Sequence, residues 1–344
     1  MPLPARILLI GYAQLRRYGK TRVSWFNKLH RGLIQNGHLV HWFSDRDTAA
    51  FEAPFGLRDL GHGKANKRLV ETAEAFEPDL IIIGHADIIT NDTLLHLKKI
   101  SKCSIVHCNN DPLFIQPNVE KITHRLKVCE HIFISTGKTT IDEFFPDEKQ
   151  RTHHMPNPVD SAIERFDVSK LERDELDRDL IFCGNATKFT RREETLQRLK
   201  AGLPKTVRFD TFGLFGTPPL WGLDYDRALS KSAMGLNLNR DEGHHWYSSA
   251  RMAQLGGNGL VVLTNSANSF QTLFPEGTLV YYDKEEELLE KVKALTDDDS
   301  LRRSHASATR TFFHTHLNNR IYAQHIVETA LELPHSQNYI WTDK

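Results

Sequence analysis

The chain has 344 residues, too many for one ordinary core and enough for about two domains. Hydrophobic residues make up 40% and charged residues 26%, with 20 Gly and 14 Pro, which excludes a disordered, collagen-like or low-complexity chain. Lys plus Arg equals Asp plus Glu at 44 each, so the basic excess of a protein that coats nucleic acid or an anionic membrane is absent.

Short apolar runs alternate with helical stretches from the start. RILLIG (6–11) reads as a buried strand, and residues 22–36 carry apolar side chains at helical spacing up to Gly37, a natural stop. HLVHWFSD gives a second strand, 64–77 a helix, and DLIIIG a third strand after Pro78. SIVHC and HIFIST are two more strands, separated by helical 115–127. Such alternation implies right-handed crossovers and a mostly parallel sheet. None of these runs approaches the about 20 apolar residues of a membrane span, and MPLPARILLI enters a strand without a secretory pattern. Cys103, Cys108, Cys129 and Cys183 lack C-x-x-C spacing, as expected of reduced thiols in a cytoplasmic protein.

The rhythm breaks at 151–177, where RTHHMPNPVD leads into the charged SKLERDELDRD, a natural linker. A second alternation follows: strand DLIFCGN, helix 190–201, strand TVRFDTFG, helix 223–232, strand AMGLNLN, helix 247–256, strand LVVLTN and helix 284–296. The tail, 298–332, is mostly helical. The expected fold is α/β, with two Rossmann-like β-α-β domains (1–155 and 178–318), a linker at 156–177 and a last segment, 319–344. Ligands of such sheets sit at the carboxyl ends of the strands, so a cleft between the domains is the expected site.

The most informative stretch is GLNLNRDEGHHWYSSARMAQLGGNGLVVLT (235–264). A strand ends near Arg240 and a helix opens at Ser248 and Ser249, with Arg251 in its first turn. Exposed amides at a helix start attract anions, and Arg240 and Arg251 add guanidinium contacts suited to a phosphate. Gln254 lies one turn on and has the reach to bond ribose hydroxyls. The same residues also read as an ordinary capped helix whose arginine pairs with a nearby acid. CGNATKFTRR (183–192) offers a second cradle, with Gly184, Asn185, Lys188 and Arg192. The loop DTFGLFGTPPLWG (210–222) presents Phe212 and Trp221, for stacking on a base or for plain packing.

The run R-x-x-Q-x-x-G-x-G-x-x-V-L-T resembles the R-x-x-E-x-x-A-x-G pattern of GT-B glycosyltransferases, in the group-1 branch that includes the spore-maturation (CgeB-like) proteins. IFCGN with Arg192 and Leu196, MPNPVD, and the stretch from FPEGTLVYYDKEEEL to FFHTHLNNR extend the likeness through the carboxyl half. The resemblance implies a donor diphosphate at the helix start and a ribose at position 254, where Gln replaces the usual Glu. The partner acid of the wider E-x7-E signature would fall at Trp246. It further implies that a carboxy-terminal helix crosses back to the first domain.

In the first domain three strand ends present polar groups: Gly11-Tyr12, His85 to Asp87, and His107 to Asp111. An inverting transferase needs a carboxylate or imidazole to take the acceptor proton, whereas a retaining one depends on positioning and on stabilising the leaving diphosphate. Asp111 is the first candidate, followed by His85 and Asp87. The basic segment 13–26, with Arg16, Arg17 and Lys20, suits an acceptor or a lipid headgroup, or simply faces water. The resemblance implies no metal or cofactor, because the helix dipole and cations stabilise the leaving group; the histidine pairs 153–154 and 244–245 point to different sides, and Asp45-Arg46-Asp47 reads as solvated charge. The resulting expectation is sugar transfer from a nucleotide-diphosphate sugar to a glycan, lipid-linked or other hydroxyl acceptor, as in polysaccharide biosynthesis. Its setting would be cytoplasmic, a reading that allows peripheral contact with the inner face of a membrane. The alternatives are a degenerate member that binds a nucleotide sugar without turnover, or an epimerase of the same fold.

Overall fold

The computed structural model describes residues 4–15, 24–184 and 191–342. The chain divides into two compact units, Met1–Pro156 with Asn319–Lys344, and Asn157–Asn318.

The first unit alternates β1 (Arg6–Ile10), α1 (Trp25–Gln35), β2 (Leu39–Phe43), α2 (Asp45–Glu52), α3 (His62–Phe76), β3 (Leu80–Ile83), α4 (Asn91–Ser101), β4 (Ser104–Asn109), α5 (Gln116–Leu126), β5 (His131–Ile134), α6 (Lys138–Phe144) and β6 (Thr152–His154). Its six strands are all parallel, in the order β2-β1-β3-β4-β5-β6. Both faces of β1 and β3 are covered, which is why RILLI and LIII read as unbroken apolar runs rather than alternating ones. Leu8, Ile10, Ile81 and Ile83 pack on one face with Leu69 and Leu94; Ile7, Leu9, Leu80 and Ile82 pack on the other with Phe26 and Leu29.

The second unit contains β7 (Arg178–Cys183), α7 (Arg191–Gly202), β8 (Phe209–Phe212), α8 (Leu223–Ser230), β9 (Ser232–Asn237), α9 (Ala250–Gly257), β10 (Val261–Asn265), β11 (Val280–Tyr282), α10 (Glu285–Asp297) and α11 (Asp299–His316). Its parallel sheet runs β11-β10-β9-β7-β8. The last helix, α12 (Asn319–Ala330), belongs to the first unit, where Tyr322, Ala323, Ile326 and Val327 join the core against β4 and β5.

The stretch expected as a linker is folded into the second unit instead. Val168 is buried there, and the buried Arg302 of α11 donates to the carbonyls of Val168 and Leu171. Its backbone carbonyls serve as the partners of that buried guanidinium, so the stretch is packed rather than a free connector. Among the described residues, no helix is long and apolar enough to cross a membrane.

Candidate functional site

Each sheet reverses its winding once, between β1 and β3 in the first unit and between β7 and β9 in the second. The loops leaving the two strands at such a point part to opposite faces and open a crevice, the usual ligand position of this architecture. The candidate groups gather at these two places.

In the second unit, Arg251 spans the switch point. It is buried, and its Nη1 donates to Cys183 O at the end of β7 (3.1 Å). Its Nη2 donates to Leu238 O just beyond β9 (3.2 Å) and to Ser249 Oγ (3.1 Å). Ser249 is the N-cap residue of α9, and its hydroxyl receives the guanidinium rather than a backbone amide of the helix. The Phe182 ring lies between two cations, with Arg251 4.8 Å and Arg192 5.4 Å from its centroid. Burial, with Arg251 and Arg240 nearby, lowers Arg192 to about 10, and burial lowers Arg251 as well. Among the described residues Arg251 forms no ion pair, so the reading of an arginine paired with a nearby acid fails. A buried charge without a counterion is costly, and an anion bound there would relieve it.

Gln254 also faces this region, and its Oε1 accepts from the Tyr225 hydroxyl of α8 (3.1 Å). Gly184 ends the β7 segment, and its N–H donates to Phe212 O (3.0 Å). Gly213 passes so close that a Cβ there would lie 1.7 Å from Gly184 O. Arg240 is exposed. Ser248 is buried, and its hydroxyl turns to Ser249 O. Phe212 carries the Arg178 guanidinium over its ring (5.6 Å), and Trp221 is half exposed. Asn185 and Lys188 lie outside the described residues, as do Arg16, Arg17 and Lys20. Trp246, at the position of the family's second acid, is a buried packing residue whose Nε1 donates to Ser269 O and Thr272 Oγ1. The nearby carboxylate is Glu242, accepting from the Asn239 N–H (2.8 Å) and Asn239 Nδ2 (3.0 Å), and sequence reasoning passed over it.

In the first unit the switch point opens a cavity of about 370 Å³. Gly11 and Gly84 end β1 and β3 against the Phe26 ring, where a Cβ on either would come within 2.6 Å. His85, Asp87 and Asp111 all line the cavity, together with Arg46 and Lys121. His85 Nε2 lies 2.6 Å from Asn110 Oδ1, and its Nδ1 lies 3.6 Å from Asp111 Oδ2. With Nε2–H donating to Asn110, the neutral ring carries its lone pair on Nδ1, on the side of Asp111. Asp87 is tied to Arg46 (3.1 Å) and Lys121 (3.3 Å). Burial raises its carboxyl pKa, but these two cations outweigh that and hold it below the ordinary value.

Two acids expected to be solvated are not. Asp45 and Asp47 are buried in the first turn of α2. Asp47 accepts from Ser44 Oγ (2.6 Å) and from the Leu15 N–H (2.9 Å), which ties down the loop after β1. Burial pushes the Asp45 carboxyl up to about 6, with the Asp87 charge adding to it and Arg46 opposing. Ser-x-x-Asp after a strand is a helix-start signature, and it was legible at 44–47. Buried Arg125 lies behind the cavity and donates to Ala86 O (3.0 Å), Ile89 O (2.7 Å) and Asn91 Oδ1 (2.7 Å). It thereby fixes the loop that presents His85 and Asp87. Among the described residues, no three His, Cys, Asp or Glu side chains group as a metal site.

Residues 191–328 match the family described as glycosyl transferase-like. No curated protein sequence matches the chain. Among solved structures, HepE of Anabaena in complex with UDP and glucose superposes with a TM-score of 0.63 at 14% identity, covering 96% of this chain and 100% of that one. Sucrose-phosphate synthase of Thermosynechococcus elongatus gives 0.63 at 11%, over 94% and 98%. A glycosyltransferase of Rickettsia africae gives 0.60 at 11%, over 96% and 98%. The fold is that of the GT-B glycosyltransferases.

Proposed function

We propose that the chain is a metal-independent glycosyltransferase that moves a sugar from a nucleotide-diphosphate donor to a hydroxyl acceptor. The observation that carries the reading is Arg251, buried without an ion pair at the β7–β9 switch point and grouped with Arg192 and Arg240 beside the start of α9. That is the chemistry of a diphosphate site, in which guanidinium groups and helix-start amides offset negative charge. The family match over 191–328 and the UDP held by HepE support it.

In the reaction the acceptor oxygen attacks the anomeric carbon, the bond from that carbon to the diphosphate oxygen breaks, and the departing nucleoside diphosphate takes the electron pair. The arginines stabilise the charge that grows on this leaving group, which is worth most where water is excluded. The acceptor proton passes to His85 Nδ1, with Asp111 stabilising the imidazolium. Asp87, held ionised by Arg46 and Lys121, is the weaker base, and its suggested role is acceptor binding. The acceptor class that fits is a glycan or a lipid-linked hydroxyl.

Nucleotide release from UDP-, GDP- and dTDP-sugars tests this. The wild type is expected to release nucleotide with at least one donor once an acceptor is supplied, and His85→Ala is expected to lower the rate by about 10² to 10⁴. Nucleotide binding without release from any donor would favour the alternative, a nucleotide-sugar-binding protein without turnover. One observation speaks for that alternative: Gln254 stands where the family's pattern has an acid, and its carbonyl is already engaged by Tyr225.

A further inference from the structure

Gln254 lies one turn beyond Arg251 on the same face of α9. Its amide is oriented from the neighbouring helix, where the Tyr225 hydroxyl of α8 donates to Gln254 Oε1 (3.1 Å). Desolvation raises the Tyr225 phenol well above its ordinary pKa, so it stays protonated and keeps donating. The amide oxygen is thereby turned to α8, and the two Nε2 hydrogens lie on the opposite edge. Among the described residues they have no partner, and the side chain is partly exposed.

The carboxylates around this point are engaged or turned away. Glu242 accepts from the Asn239 N–H (2.8 Å), from Asn239 Nδ2 (3.0 Å) and from Asn268 Nδ2. Glu164 is buried against Gly257 at the end of α9 and accepts from the Asp160 N–H (2.9 Å). Asp226, the next residue of α8 after Tyr225, points about 100° round that helix, with Glu164 and Arg165 as its charged neighbours. The group that Gln254 offers a ligand is therefore a neutral donor.

A diphosphate on Arg251 brings the attached ribose within reach of the next turn of α9. A carboxylate at that place would accept from both ribose hydroxyls, O2′ and O3′, in charge-assisted bonds. An amide N–H needs one hydroxyl oxygen, and O3′ is present in ribose and 2′-deoxyribose alike. Losing one neutral contact costs little, whereas a site built on two charged ones rejects the sugar that lacks a hydroxyl. We propose that the chain takes both ribonucleoside and 2′-deoxyribonucleoside diphosphate sugars as donors, with Tyr225 and Gln254 removing selection for the 2′-hydroxyl. The inference rests on the nucleotide reading of Arg251 given above and adds the class of donor.

Calorimetric titration of the full chain compares UDP with 2′-deoxy-UDP, and GDP with 2′-deoxy-GDP. For each base that binds, the two dissociation constants of wild type are expected to agree within about threefold. Gln254→Glu keeps an acceptor for the Tyr225 hydroxyl, and its unfolding temperature without nucleotide is expected to match wild type. It is expected to prefer the ribonucleotide by at least about tenfold. Tyr225→Phe frees the amide to turn its oxygen to the ribose, and is expected to move the ratio the same way by about threefold. A wild type that already prefers the ribonucleotide by about tenfold would overturn the proposal while leaving the diphosphate site standing. So would a ratio unchanged in both variants, since Gln254 would then not meet the sugar. No binding of any of the four nucleotides would remove the nucleotide reading itself, and this inference with it.

Discussion

Arg251 illustrates how one side chain can be both scaffold and ligand group. Its two terminal nitrogens tie the end of β7 to the segment after β9, while its charge stays unpaired among the described residues. Next to it, Gly213 is required by geometry, since φ is +81° and a Cβ would strike Gly184 O. Gly213→Ala should cost about 2–4 kcal/mol in thermal or urea unfolding, from backbone strain and overpacking together. Asp45 behaves oppositely to a stabilising carboxylate. Its folded pKa, about 6, lies above the ordinary value of 3.8, so the fold favours the protonated form. Stability is therefore full below about pH 4 and is lost as pH rises through 6, by about 3 kcal/mol once ionisation is complete. Asp45→Asn should be more stable than wild type at pH 7.5, with the advantage fading towards pH 4. Urea midpoints at the two pH values check this.

At the scale of elements, α12 shows how a segment late in the chain completes an early core. It lies on α1 and on β4 and β5, and Gly32 comes so near its start that a Cβ would lie 2.1 Å from Asn319 O. Ile326 is fully buried there, so Ile326→Ala should lower stability by about 2–5 kcal/mol. Its sequence, ending an apolar helical stretch before Pro334, was legible as a helix, and the return to the first unit came only from the likeness to GT-B chains. The strongly apolar strands β1, β3, β4, β5, β7 and β10 were equally legible. The helices α2 and α6 escape periodicity because eight and seven residues make only about two turns. For α4 the signal lay in a cap, Thr90 accepting from the Thr93 N–H, rather than in periodicity. β6 has three residues, two of them histidines, and owes its strand conformation to pairing with β5 rather than to propensity.

Across the molecule, the sequence carried the alternation and the polar strand ends, because both are local patterns. It could not carry burial, and the site depends on burial. Asp45 and Asp47 look solvated in a string of charges. Arg125 shows nothing in sequence of the three partners that fix the loop behind the cavity. Burial also sets the response of the whole fold to acid. His107 and His325 are buried, and burial lowers each to about 3 from the ordinary 6.5. The fold keeps them neutral while the unfolded chain protonates them, so stability is held above pH 6.5 and lost as pH falls towards 3. At pH 5 the loss is about 2 kcal/mol for each. His325→Phe should flatten the fall in melting temperature between pH 7 and pH 5.

The central claim is that Arg251 marks an anion site for a nucleoside diphosphate. The direct test is thermal unfolding of wild type and Arg251→Ala with and without UDP, GDP and dTDP. At one hundred times its dissociation constant a ligand adds about 2.7 kcal/mol, equivalent to about 5–10 °C for a unit of this size. The wild type should gain that shift with at least one of the three, and the variant should gain none. An equal shift in both proteins, or no shift in wild type with any of them, would contradict the account.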